Sequence, residues 1–126
     1  MTVQEATFDT IDSLITQNDI LIVDFWAPWC GPCRSFAPIF EAAAEAHPDV
    51  TFAKANTEAD QQLAGYFQIR SIPTLMVFRQ QILLFNQAGA LPKQALDELI
   101  GKVKSLDMDE VRSEIAKTES EQTAPQ

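Results

Sequence analysis

A chain of 126 residues with 46% hydrophobic content fits one compact domain with a core, and nothing in it suggests a second. Asp and Glu number 18 against 9 Lys and Arg, and the net charge of −9 argues against a nucleic-acid or anionic-membrane surface. The longest apolar run, Ile20–Val23, is far too short to span a bilayer.

Arg34 is the first basic residue, and Glu5, Asp9, Asp12, Asp19 and Asp24 all precede it. That is not the pattern of a secretory signal, so a cytoplasmic protein is expected. In a reducing compartment two cysteines are more often catalytic or metal-binding than structural.

After a few extended residues, Thr7 to Gln17 carries Phe8, Ile11, Leu14 and Ile15 at helical spacing, with Thr7 or Asp9 as its cap. Ile20 to Ala27 is apolar except for Asp24 and rich in β-branched and aromatic residues, which predicts a central strand covered on both faces. Gly31 to about Ala46 reads as a helix with Phe36, Ile39, Phe40 and Ala43 on its apolar side. Pro32 suits its first turn, and Pro38 should kink it. A strand over Val50–Asn56 and a short helix weakened by Gly65 follow. Two apolar runs then meet at Gln80-Gln81 as a hairpin, although tight hairpins usually want Asn-Gly there. Gly89 permits a bend, and Leu91 to Leu106 is a helix with Pro92 in its first turn. Alternation followed by a hairpin predicts an α/β fold, a mixed central sheet flanked by helices.

From Asp107 the composition shifts. A short helix is expected with Met108, Val111 and Ile115 on one face, packed back on the domain, then a disordered polar tail over the last eight residues. The chain thus divides into a domain over residues 1–106 and an acidic extension over residues 107–126.

Both cysteines, Cys30 and Cys33, lie three positions apart in Trp-Cys-Gly-Pro-Cys. A structural staple closing so short a loop would contribute only about 2 kcal/mol. A zinc site needs three or four ligands, and His47, which ends a helix and reads as solvated, is the chain's only histidine. A reactive pair explains more residues. With Cys30 at the start of the Gly31 helix, the unpaired amides favour its thiolate, making it the attacking sulfur. Cys33, one turn deeper, resolves the mixed disulfide. Asp24, between apolar neighbours on the strand leading into the motif, is placed to move the deeper sulfur's proton. The alternative is an ion pair with Lys54, and both can hold.

The segments Val23–Pro38, Phe52–Asn56, Ile69–Thr74 and Gln87–Leu91, in that order, resemble the thioredoxin family from about Ala6 to Val103. The resemblance implies a thioredoxin fold, here with an extra C-terminal helix. It implies Cys30 as nucleophile, Cys33 as resolving thiol, a redox-active Cys30–Cys33 disulfide, Asp24 as buried acid/base and Lys54 tuning it. It further implies a cis Pro73 facing the sulfurs, with the backbone of Ile72 pairing with an extended substrate. Trp29, Gly31, Pro32, Ile72, Pro73, Gly89 and Ala90 would form the substrate surface. Four departures bear on partner choice: Gln80-Gln81 in place of Asn-Gly, Ser71 where glycine is common, Pro92 where serine often caps, and the residues beyond Leu106.

The pair between the sulfurs is uncharged Gly-Pro, which leaves the dithiol less stabilised and the better reductant. The expected function is protein-disulfide reductase and electron carrier, a monomer acting on disulfide-containing client proteins. The resemblance implies no bound cofactor or metal, with reducing equivalents from NADPH through a flavoprotein, thioredoxin reductase. The alternatives are a binding module or co-chaperone with little redox turnover, and a disulfide oxidase or isomerase.

Overall fold

The computed structural model describes residues 2–123, with side chains through residue 119. In chain order the elements are β1 (Val3–Glu5), α1 (Ile11–Gln17), β2 (Ile20–Trp26), α2 (Gly31–Ala46), β3 (Thr51–Asn56), α3 (Gln61–Tyr66), β4 (Thr74–Arg79), β5 (Ile82–Ala88), α4 (Lys93–Ser105) and α5 (Met108–Thr123). The strands form one mixed sheet in the order β1-β3-β2-β4-β5. β1, β3 and β2 run parallel, and β4 and β5 add antiparallel strands beyond β2.

Strand alternation sorts the core into two layers. Ile20 and Ile22 of β2 meet Phe36 and Phe40 of α2 and Leu96, Ile100 and Val103 of α4. Leu21, Val23 and Phe25 point the other way, onto Ile11 of α1 and Leu63 of α3. With both faces covered, β2 is the apolar central strand read from the sequence, and each fully buried Phe or Leu contributes about 1.5–3 kcal/mol. By the same alternation Asp24 points into the layer beneath α2 and α4.

Several local expectations need correction. Thr7 and Asp9 do not cap α1. The Thr7 carbonyl accepts from the Thr10 and Ile11 amides (3.1 and 2.9 Å), forming a turn that delays the helix and makes Thr10 its N-cap. Phe8 therefore leaves the helical stripe and sits on the surface, edge-on to Tyr66 with ring centroids 6.1 Å apart. Pro92 is the N-cap of α4 rather than part of its first turn. Its ψ of 157° is extended, and its carbonyl accepts from the Leu96 amide at 3.0 Å. His47 is not simply solvated. It ends α2, its Nδ1 takes a bond from the Lys104 ammonium at 3.0 Å, and its Nε2 faces Asp97 at 3.5 Å, joining α2 to α4.

The Gln80-Gln81 turn closes with φ of 51° and 69°, the doubly left-handed geometry that a two-residue hairpin requires. Each such conformation disfavours a residue with a Cβ by roughly 1–2 kcal/mol. Tertiary bonds offset this: the Gln80 amide donates to the Asp19 carbonyl (2.8 Å), and its side chain accepts from Arg112.

The helix of the extension is also longer than expected. Asp107 Oδ1 caps α5 by accepting from the Asp109 and Glu110 amides (3.0 and 3.3 Å). No Gly or Pro interrupts the helix before Thr123. α5 thus runs through Thr123, longer than the short helix expected, and residues 124–126 lie outside the described residues. Met108 is buried, Val111 is half-buried, and Ile115 is 37% exposed, so the apolar stripe docks only at its first turn. Arg79 secures this junction, its Nη1 donating to the carbonyls of Val103 (2.7 Å), Lys104 (3.3 Å) and Leu106 (2.9 Å).

Candidate active site

β2 delivers the chain to Ala27, whose carbonyl accepts from the Cys30 amide at 3.2 Å, and α2 begins one residue later. Pro32 lies in the first turn, where a missing amide donor is harmless. Cys30 is the N-cap of α2, and its Sγ accepts from the Cys33 amide at 3.2 Å. This is the orphan-donor position where a sulfur gains most from negative charge. The two cysteines are joined as a disulfide with Cα atoms 5.2 Å apart. Cys30 is 5% and Cys33 2% exposed. Arg34 Nη1 donates to the Pro28 carbonyl at 2.9 Å and closes the loop ahead of the pair.

A second segment meets the sulfurs from the start of β4. Cys30 Sγ lies 3.8 Å from the Ile72 carbonyl oxygen, and the Ile72–Pro73 peptide bond is cis. Ile72 packs on the small cluster of Ala27, Cys30 and Cys33. The Thr74 hydroxyl donates to the Ser71 carbonyl at 2.6 Å. The Pro73 carbonyl accepts from the Gly89 amide at 2.7 Å, and Gly89 has φ 107°, a conformation that favours glycine. Pro73 is buried and Ile72 half-buried, while Gly31, Pro32, Gly89 and Ala90 are exposed. Trp29 is 66% exposed beside the first sulfur, a large apolar surface open to a ligand.

Asp24 lies in register between Lys54 of β3 and Leu75 of β4, 4% exposed, with Oδ1 lacking a hydrogen-bond partner. Burial raises its carboxyl to about 7, and the Lys54 ammonium pulls against that rise. A carboxyl of that kind exchanges protons near neutrality.

Trp26 is the residue the sequence reading missed. Its ring lies 5.1 Å from Lys54 Nζ, so the indole holds the cation that faces Asp24. The signal was present: Trp26 is two residues beyond Asp24 and so shares its face of the strand. Among the described residues, no group of three or more His, Cys, Asp or Glu is placed to hold a metal ion.

The thioredoxin family model matches residues 1–102. The chain is 50% identical over 117 residues to a putative thioredoxin 2 of Streptomyces coelicolor, covering 93% of this chain and 87% of that one. It is 37% identical over 103 residues to a thioredoxin of Bacillus subtilis, covering 81% and 98%. Among solved structures, a mutant thioredoxin from Halobacterium salinarum superposes with a TM-score of 0.74 at 30% identity, covering 83% and 91%. Mitochondrial thioredoxin 3 from Saccharomyces cerevisiae, in its oxidised form, gives 0.73 at 30% identity, covering 80% and 95%. A Cys-Gly-Pro-Cys disulfide at the head of a helix, on a fold and sequence shared with these proteins, makes this chain a member of the thioredoxin family and a thiol–disulfide reductase.

Proposed function

We propose that Cys30 is the nucleophile and Cys33 the resolving thiol of this reductase. The Cys30 thiolate attacks a client disulfide, forming a mixed disulfide and releasing one client thiolate. Cys33, after losing its proton, attacks the Cys30 sulfur and frees the second client thiolate. Two electrons pass to the client, and the protein is left as the Cys30–Cys33 disulfide. The observation that carries the assignment is the position of Cys30 as N-cap, with its sulfur accepting the Cys33 amide.

Asp24 serves as the buried acid/base for Cys33, and Lys54, held by Trp26, tunes it. The burial of Asp24 and its rise to about 7 support this role. Trp29, Gly31, Pro32, Ile72, Pro73, Gly89 and Ala90 form the surface on which an extended client segment lies, the Ile72 backbone pairing with it. The electrons come from NADPH by way of a flavoprotein thioredoxin reductase. The protein works as a cytoplasmic monomer. Residues 1–106 form the redox domain and residues 107–126 an appended extension.

A Cys33→Ser variant tests the assignment of roles. Mixed with insulin, it should accumulate a mixed disulfide through Cys30, visible by mass spectrometry, while Cys30→Ser should trap none. Trapping through Cys33 in the Cys30→Ser protein would reverse the roles, and no trapping in either would remove them.

A further inference from the structure

The appended helix leaves an apolar groove on the surface. Leu106, Val111 and Ile115 line a hollow of about 380 Å³ together with Asp107, Glu110 and Glu114. Leu106 is 40% exposed, and past the capping Asp107 the pairs 110/111 and 114/115 share one face of α5. No cation lines it. The nearest positive side chains of α5 are engaged, Arg112 with Gln80 and Asp109, and Lys117 with Glu114 at 3.8 Å.

This face lies away from the redox centre. β4 starts beside Cys30 and ends at Arg79, where the α4–α5 junction is bonded. Its six residues span five rises of about 3.3 Å, which puts roughly 17 Å between the two ends. The alignment with a relative also reaches into this helix. The 117 residues aligned with the Streptomyces coelicolor chain cannot end before residue 117, well past the family match at residue 102.

We propose that this face of α5 is a docking groove for a cationic, amphipathic segment of a partner protein, engaged while the Cys30 face stays open to clients. The apolar residues supply the anchoring contact, and the carboxylates select for Lys and Arg, Glu110 and Glu114 foremost, since Asp107 already caps α5 and the exposed Lys117 offsets Glu114 only across 3.8 Å. Charge excludes the other occupants. A second copy would bring its own three carboxylates against these, on chains each carrying −9. Nucleic acid and anionic lipid are repelled in the same way.

The test is a titration of the isotope-labelled full chain with a synthetic Leu/Lys amphipathic helix, followed by amide chemical shifts. Charge-reversed Leu/Glu and apolar-depleted Ser/Lys peptides serve as controls. The largest shifts should fall on residues 106–115, and both controls should fail. Ile115→Ser and the pair Glu110→Gln with Glu114→Gln should each weaken binding about tenfold. Insulin reduction should be unchanged in these variants. Shifts centred on Trp29 and Ile72, equal binding of the Ser/Lys peptide, unchanged affinity in both variants, or no binding would each overturn the proposal. So would sedimentation showing that the chain pairs with itself through this face.

Discussion

Replacing Asp24 with Asn should change how stability depends on pH, and in a known direction. In the folded protein burial holds this carboxyl at about 7, against an ordinary value of 3.8. Below the ordinary value, folded and unfolded chains are both protonated and the residue has no net effect. As pH rises towards 7 the unfolded chain releases the proton while the folded chain retains it, so stability falls. Above 7 the penalty is complete. The interval from 3.8 to about 7, at about 1.4 kcal/mol per pH unit, corresponds to about 4 kcal/mol. Asn stays neutral throughout and should escape it. Guanidinium unfolding of both disulfide-bonded proteins from pH 4 to 9 should show the variant's advantage growing towards about 4 kcal/mol and levelling off near pH 8. Asp49 and Asp97, whose carboxyls are held low mainly by bonds from Lys104 and Lys93, contribute equally to both proteins and cancel in the difference. A difference that stayed flat across this range would refute the reasoning, whatever its size.

Lys54→Met should move the same transition to higher pH, because the ammonium opposes the rise in Asp24; a downward or absent shift in the pH midpoint would count against that pairing. Gln81→Gly should stabilise the protein by about 1 kcal/mol in urea unfolding, since Gln81 has φ 69° and, among the described residues, no hydrogen bond from its side chain holds the turn. A loss of stability would show that the Gln81 side chain matters in a way its backbone does not explain. Arg79→Ala removes three carbonyl bonds at the end of α4 and should destabilise by about 3 kcal/mol, with hydrogen exchange rising first in α5. Unaltered exchange there would mean that α5 is held by other contacts.

The parts of the fold visible in the sequence were those written in local pattern. Apart from Asp24 the run from Ile20 to Trp26 is apolar on both faces, and a strand covered by helices on both sides is the arrangement that buries it. The Cys30 site was equally legible, because N-cap position, Gly-Pro spacing and the upstream carboxylate are all near neighbours in the chain. What escaped depends on which strand lies beside which. Trp26 holds Lys54 because β2 and β3 pair in parallel with Asp24 opposite Lys54, a register no local pattern states. Gln80-Gln81 could be seen as an unusual turn, but its support from Asp19 and Arg112 arrives from residues 61 positions away on one side and 32 on the other. The helix start at Ile11 was misplaced because a turn over Thr7–Thr10 competes with helix for the same carbonyl. α5 is longer than its polarity suggests, because its Ala, Lys, Glu and Gln also favour helix.

The most direct test of the central claim is the equilibrium redox potential of the Cys30–Cys33 pair against a glutathione or dithiothreitol buffer, with insulin reduction followed on the same sample. Our account predicts a potential more negative than that of the glutathione couple, together with catalytic turnover. A markedly oxidising potential, or a reducing one without turnover, would contradict it.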